Sequence, residues 1–171
     1  MIYFDCDGTL IDTEGLLFEE WRKNPDRDKL PSGAKIEYIR NANWEKILYE
    51  APILANSIDL LKEIDPNTSA ILTKIHSRDN EGKWKAIYFH DKGVKQRIIF
   101  VPYYYKKTEI VLAKGNDLVD DCLKNNREWS LEGGNSYFFD IDGNNIDRWG
   151  EYNEQGFTRV RSIERFINYR G

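Results

Sequence analysis

From residue 69 onward the chain alternates between short β-prone runs and segments of helical spacing, and this alternation restricts the fold more than any single residue does. Residues 69–73 and 97–105 predict strands, with a helix over 81–91 between them. Segments 109–113 and 117–119 predict short strand pieces, 124–129 a short helix or turn, 136–139 a strand, and 157–169 a closing amphipathic helix. Strands separated by helices of this length pair in parallel through crossovers. The expected fold is therefore α/β, a Rossmann-like parallel sheet with helices on both faces. Chemistry in such a sheet gathers at the carboxyl ends of the strands.

The first strand comes early. Ile2-Tyr3-Phe4 is β-prone and runs into an acidic, glycine-containing turn, Asp5-Cys6-Asp7-Gly8-Thr9. Residues 13–22 then predict a helix, and 34–49 a second, ended before Pro52. Ser57 is read as the N-cap of a helix carrying Ile58, Leu61 and Ile64. The stretch 12–55 interrupts the alternation, is too long for a loop and holds two helical segments. It is read as a small helical cap inserted after the first strand, with 1–11 and 56–171 forming the core domain.

With 171 residues, 40% hydrophobic and 32% charged, the chain suits one domain with a small insertion. The net charge of −4 argues against a nucleic-acid-coating protein. Charge is unevenly spread, however: residues 74–107 hold nine Lys/Arg against three acids, and 117–147 eight acids against two bases. Such a pairing would hold a cation beside an anionic substrate, although solvated helix faces give the same pattern. Two dispersed cysteines, Cys6 and Cys122, and the lack of a signal-like N-terminus lead to the expectation of a reducing, cytoplasmic setting. Apolar runs are too short to span a bilayer, so no membrane partner is expected. Oligomeric state stays open, a dimer included.

Four features fall at predicted strand ends: Asp5-x-Asp7-Gly8-Thr9, Thr73, Lys107 and Asp120-Asp121. Any one alone reads as a turn or a cap. Together they supply what phosphoryl transfer needs: a nucleophile, charge to offset the phosphate oxygens, and preset hydrogen-bond donors. Two carboxylates two residues apart would point to opposite faces of a continued strand, and Gly8 lets the backbone turn so that both reach one site. An all-oxygen ligand set suits Mg²⁺, whereas two His and two separated Cys give no zinc spacing.

The run Asp5-Cys6-Asp7-Gly8-Thr9-Leu10 after Ile2-Tyr3-Phe4 resembles the first motif of the haloacid-dehalogenase superfamily. Ile71-Leu72-Thr73 resembles its second motif, and Asp117-Leu118-Val119-Asp120-Asp121 its fourth. Within that superfamily, residues 102–121 are similar to the 5'(3')-deoxyribonucleotidases, where a Lys-Thr pair precedes a strand ending in two aspartates. The resemblance implies a phosphomonoester hydrolase with Asp5 as nucleophile and Asp7 as general acid/base. It implies that Thr73 holds a phosphate oxygen and that Lys107 neutralises nucleophile and phosphate. Mg²⁺ would be held by Asp5, Asp121 and the main-chain carbonyl of Asp7, with Asp120 orienting the lysine or a metal-bound water. Lys106 and Lys114 rival Lys107, which Thr108 favours. Gly8, Thr9 and Lys74 are assigned to the phosphate's surroundings, and Trp21 and Trp44 to the rest of the substrate.

The expected substrate is a small phosphorylated molecule, a nucleoside monophosphate by preference. Alternatives are another phosphorylated metabolite, a nucleic-acid 3'-phosphate end, or an idle Mg²⁺- or phosphate-binding domain. The cap aromatics Phe18, Trp21, Trp44 and Tyr49 could stack on a ring, but at helical spacing such residues are more often the cap's own core. Phe139-Asp140-Ile141-Asp142-Gly143 repeats the look of the first motif but lacks its sequel, and is read as a strand end plus a turn. His76 and His90 read as surface histidines, His76 having the better claim to the mouth of the site.

Overall fold

The computed structural model describes residues 1–141 and 157–170. Six parallel strands form one sheet in the order β3-β2-β1-β4-β5-β6. They are β1 (Ile2–Phe4), β2 (Ser69–Ile75), β3 (Arg97–Pro102), β4 (Asp117–Asp120), β5 (Asn135–Phe139) and β6 (Thr158–Val160). The helices are α1 (Thr13–Lys23), α2 (Ala34–Asn41), α3 (Trp44–Glu50), α4 (Ser57–Glu63), α5 (Lys83–Asp91), α6 (Leu123–Leu131) and α7 (Ile163–Arg170). The expected α/β parallel sheet is the fold observed.

The sheet divides the core by the two-residue period of its strands. Phe4, Ile71, Val119 and Phe139 face a large cluster that includes Leu17, Trp44, Leu48, Leu61, Tyr88, Phe89 and Phe166. Tyr3, Ala70, Leu72 and Leu118 face the other way, onto Trp129 of α6 and Ala113. Thr73 lies two residues beyond Ile71 and so shares the face on which α5 packs. That parity decides what Thr73 can touch.

Several sequence expectations change. Segment 109–113 is not a strand; a 3₁₀ turn, Lys107–Glu109, follows β3 instead. The span 34–49 is two helices broken at Ala42, and the Asn43 side chain caps the second by accepting from the Lys46 N–H at 3.0 Å. Ser57 is not the cap of α4: Asn56 is, at φ 56°, and Ser57 donates to the Leu10 carbonyl at 2.6 Å. A π turn, Arg78–Gly82, precedes α5, which starts later than expected. The segment read as one closing helix begins with β6, so β5 is not the last strand. The turn expected at Asp142-Gly143 lies outside the described residues. No helix among the described residues is long and apolar enough to cross a membrane.

Candidate active site

β1 and β4 are neighbours in register, Phe4 beside Val119, and the Asp5 N–H donates to the Val119 carbonyl at 2.9 Å. Asp5 therefore emerges alongside Asp120. β2 and β3 extend the sheet to one side of β1, and β4 to β6 extend it to the other. The site thus sits where the strand order reverses, the place such sheets leave a crevice. Carboxylate oxygens of Asp5, Asp120 and Asp121 lie within 4.8 Å of one another.

Lys107 reaches this cluster from its 3₁₀ turn rather than from a strand end. Its side chain is 2% exposed, and Nζ donates to Asp5 Oδ1 and to Asp120 Oδ2, each at 2.6 Å. Burial opposes the charge on Lys107, but Asp120 and Asp5 outweigh it and hold the ammonium above its ordinary range. Lys106 and Lys114 are exposed. Asp120 is fixed from behind: Oδ1 accepts the Cys122 N–H at 2.8 Å, and Asn125 Nδ2 donates to its oxygens at 3.0 and 3.2 Å. Its place is that of a holder for Lys107.

Three carboxylates here face one ammonium, a formal excess of two negative charges. Burial, reinforced by Asp120 and Asp7 and opposed by Lys107, raises the Asp5 carboxyl to about 7. Burial, then Asp120, Asp5 and Glu14, push Asp121 well above the usual carboxylate range. Hard oxygens carrying uncompensated charge fit a divalent cation such as Mg²⁺. Asp5 and Asp121 would hold it with their carboxylates.

Gly8 and Thr9, expected near the phosphate, both support Asp121. The Thr9 hydroxyl donates to Asp121 Oδ1 at 3.3 Å and accepts the Asp121 N–H at 3.1 Å. Gly8 has φ +74°, and a Cβ there would lie 2.2 Å from Asp121 Oδ2. Only glycine both turns the chain and leaves room for that carboxylate.

Asp7 leaves the turn in another direction. Its Oδ1 accepts the Thr13 hydroxyl at 2.6 Å, and its Oδ2 accepts Lys85 Nζ at 2.5 Å, with Thr73 Oγ1 at 3.4 Å. Any metal contact from Asp7 would have to come from its main-chain carbonyl, as the sequence resemblance implies. Lys85, on α5, is fully buried and also donates to Glu81 Oε1 at 2.8 Å and to Thr73 Oγ1 at 3.1 Å. Burial works against its charge, yet Asp7 and Glu81 keep it well above the ordinary lysine range. Burial would likewise raise Glu81, but Lys85 and His76 hold it below its ordinary value.

Trp44 is enclosed in the core, donates Nε1–H to the Ile39 carbonyl at 2.9 Å and has Lys85 Nζ 5.2 Å from its ring centre. It has no free face for a substrate, so the stacking role expected of it is corrected to packing. Trp21 leans on Tyr38 at 5.2 Å and lines an open groove with Leu30 and Pro31 that contains none of the site carboxylates. Lys74 brings only its carbonyl towards Lys85, at 3.4 Å. Arg40 Nε donates to the His76 carbonyl at 3.3 Å, joining the 12–55 segment to β2's end. The His76 ring stacks on Tyr103 at 4.2 Å.

Lys85, Glu81, Asn125 and Thr13 are the site residues that sequence reasoning missed. A weak signal existed: 81, 85, 88 and 89 fall on one helical face, and that face mixes an acid, a base and two aromatics.

No protein-family model matches this sequence, and none of the curated proteins matches it. Solved structures match the fold across nearly the whole chain. A haloacid-dehalogenase hydrolase of family IA from Entamoeba histolytica aligns at TM-score 0.64 and 14% identity, covering 96% of this chain and 93% of that one. A haloacid-dehalogenase hydrolase from Bacillus subtilis, bound to magnesium, aligns at 0.58 and 14%, covering 98% and 96%. The D,D-heptose 1,7-bisphosphate phosphatase from Burkholderia thailandensis aligns at 0.55 and 11%, covering 98% and 96%. The chain has the fold of the haloacid-dehalogenase-like hydrolases.

Proposed function

We propose that the protein is a Mg²⁺-dependent phosphomonoester hydrolase working through an aspartyl-phosphate on Asp5. One observation carries this reading: Asp5 sits at the reversal of a hydrolase-type sheet, bonded through Oδ1 to Lys107 and flanked by Asp121, with Asp7 two residues on. Asp5 Oδ2 has no hydrogen-bond donor among the described residues, which leaves one oxygen for attack. In the first step that oxygen bonds to phosphorus, the ester P–O bond breaks, and Asp7 gives the departing oxygen a proton. In the second, Asp7 takes a proton from water, the water oxygen bonds to phosphorus, and the bond to Asp5 breaks. Lys107 offsets charge on Asp5 and on the phosphate throughout, and Thr73 offers its hydroxyl to a phosphate oxygen. A bound divalent cation supplies further positive charge to the phosphate oxygens.

The finer reading is a nucleoside monophosphate as substrate. It is supported by the similarity of residues 102–121 to the deoxyribonucleotidases, and by the exposed Tyr103, Tyr104 and Tyr105, which immediately precede Lys106 and Lys107. These tyrosines take over the stacking role that Trp44 cannot fill.

Release of phosphate from p-nitrophenyl phosphate, with and without Mg²⁺, tests the activity. Asp5→Asn should remove it while leaving the melting temperature unchanged; wild-type turnover by Asp5→Asn would end the assignment. Tyr104→Ala should cost about 1–3 kcal/mol with nucleotides, the range for base stacking, and nothing with p-nitrophenyl phosphate. An equal effect on both would remove the nucleotide reading.

A further inference from the structure

An ammonium group has three N–H donors, and those of Lys85 are fully engaged by Asp7 Oδ2 at 2.5 Å, Glu81 Oε1 at 2.8 Å and Thr73 Oγ1 at 3.1 Å. With none left over and no exposed surface, Lys85 cannot itself bind a phosphate. What it can do is fix its neighbours. The Thr73 oxygen accepts the Lys85 N–H, so the Thr73 hydrogen must point elsewhere. Among the described residues its acceptors are the Lys74 carbonyl at 3.3 Å and Asp7 Oδ2 at 3.4 Å. Both lie well beyond the 2.7–2.8 Å usual for an O–H···O bond, so the hydrogen remains available for a better acceptor. Asp7 is held at both oxygens, by Thr13 on one side and Lys85 on the other.

Lys85 is itself held rigidly. Glu81 lies one helical turn before it and is anchored by the His76 N–H at 2.7 Å, while Trp44 lies over the amine from the 12–55 segment. We propose that Lys85 is a positioning residue. It sets the Asp7 carboxylate and the Thr73 hydroxyl in the arrangement that proton transfer and phosphate binding require, with Glu81 and Trp44 fixing Lys85 in turn. This inference rests on the phosphohydrolase reading above.

Removing Lys85 alone leaves Glu81 buried without its partner, so the informative variant is Glu81→Leu/Lys85→Met, which removes both charges and is tolerated by many buried pairs. Its melting temperature should fall less than that of Lys85→Met, because Glu81 is no longer left buried without a partner. Turnover of an alkyl phosphate, whose leaving oxygen needs a proton, should fall about 10²-fold. Release of the first equivalent of p-nitrophenolate, which reports the first step alone and needs no proton from Asp7, should slow less than about tenfold, and inhibition by inorganic phosphate should weaken. Alkyl-phosphate turnover within about twofold of wild type would overturn the proposal. So would an equal loss on both esters, which marks a structural role. If the double variant does not fold, Glu81→Gln/Lys85→Met, which also removes both charges but keeps an acceptor for the His76 N–H, is read against the same outcomes. A wild-type protein silent on both esters sinks the phosphohydrolase reading itself. An active wild type matched by the variant sinks only the positioning role.

Discussion

Two buried lysines stand on either side of the first turn, and their surroundings differ in one decisive respect. Lys107 bonds two carboxylates, Asp5 and Asp120, but a third, Asp121, crowds the same space without a cation of its own. Lys85 also bonds two carboxylates, Asp7 and Glu81, and its third donor goes to a neutral hydroxyl. The first cluster is electrostatically open and the second is closed. An open cluster in a crevice is built to receive charge from outside, whereas a closed one holds a geometry. This difference separates a site that binds a cation and a phosphate from the scaffold that aims its proton donor.

The largest effect should come from breaking the open cluster. Lys107→Met leaves Asp5 and Asp120 buried without their cation, a loss of about 3–5 kcal/mol in stability, with no measurable turnover. Because the deficit is one of positive charge, Mg²⁺ should recover part of the melting temperature. The same addition should leave the shift caused by Lys85→Met as it is. Recovery of both variants, or of neither, would erase the distinction between the clusters.

Next in size is the response of the wild type to the cation itself. EDTA should abolish activity, and Mg²⁺ at a hundred times its Kd should stabilise the fold by about 2.7 kcal/mol. With the Asp5 carboxyl raised to about 7, the cation must displace a proton below that pH and need not above it. Mg²⁺ binding should therefore tighten between pH 6 and pH 8, with proton uptake by the buffer in calorimetry diminishing over the same range. Affinity that weakens with rising pH would contradict the open-cluster account.

The smallest effect belongs to the closed cluster. Thr13→Val removes one hydrogen bond to Asp7 but leaves Lys85 in place. It should lower kcat/KM by about 1.5 kcal/mol, the low end for a hydrogen bond to a charged group. A loss as large as that of the Glu81→Leu/Lys85→Met variant would make Thr13, and not Lys85, the main support of Asp7.

The same contrast explains what the sequence disclosed. Asp5, Asp120 and Asp121 are contiguous with short apolar strands, and parallel pairing forces such strand ends together, so the open cluster was legible from order alone. Lys107 was legible only as one of three candidates, since burial within a 3₁₀ turn leaves no periodic trace. Lys85 was not legible. It lies in a nine-residue helix whose apolar residues spread around all sides, so which face turns inward depends on the parity of Thr73 in β2. Trp44 misled for a related reason: an aromatic in a helix near a site looks available until the packing of α3 on α5 closes over it. Ser57 fitted the side-chain chemistry of a cap, but the backbone placed Asn56 there, in the left-handed region.

The central claim is that Asp5 becomes covalently phosphorylated. The direct measurement is an acid quench, within one turnover, of the protein mixed with Mg²⁺ and a phosphomonoester labelled at phosphorus, followed by recovery of the denatured chain. An acyl phosphate survives acid and is cleaved by hydroxylamine. The account predicts label on the wild-type chain, released by hydroxylamine and located on the peptide that contains Asp5, and none on Asp5→Asn. A wild-type protein that releases phosphate while its chain stays unlabelled at every quench time, alongside an Asp5→Asn variant that still turns over, would contradict it.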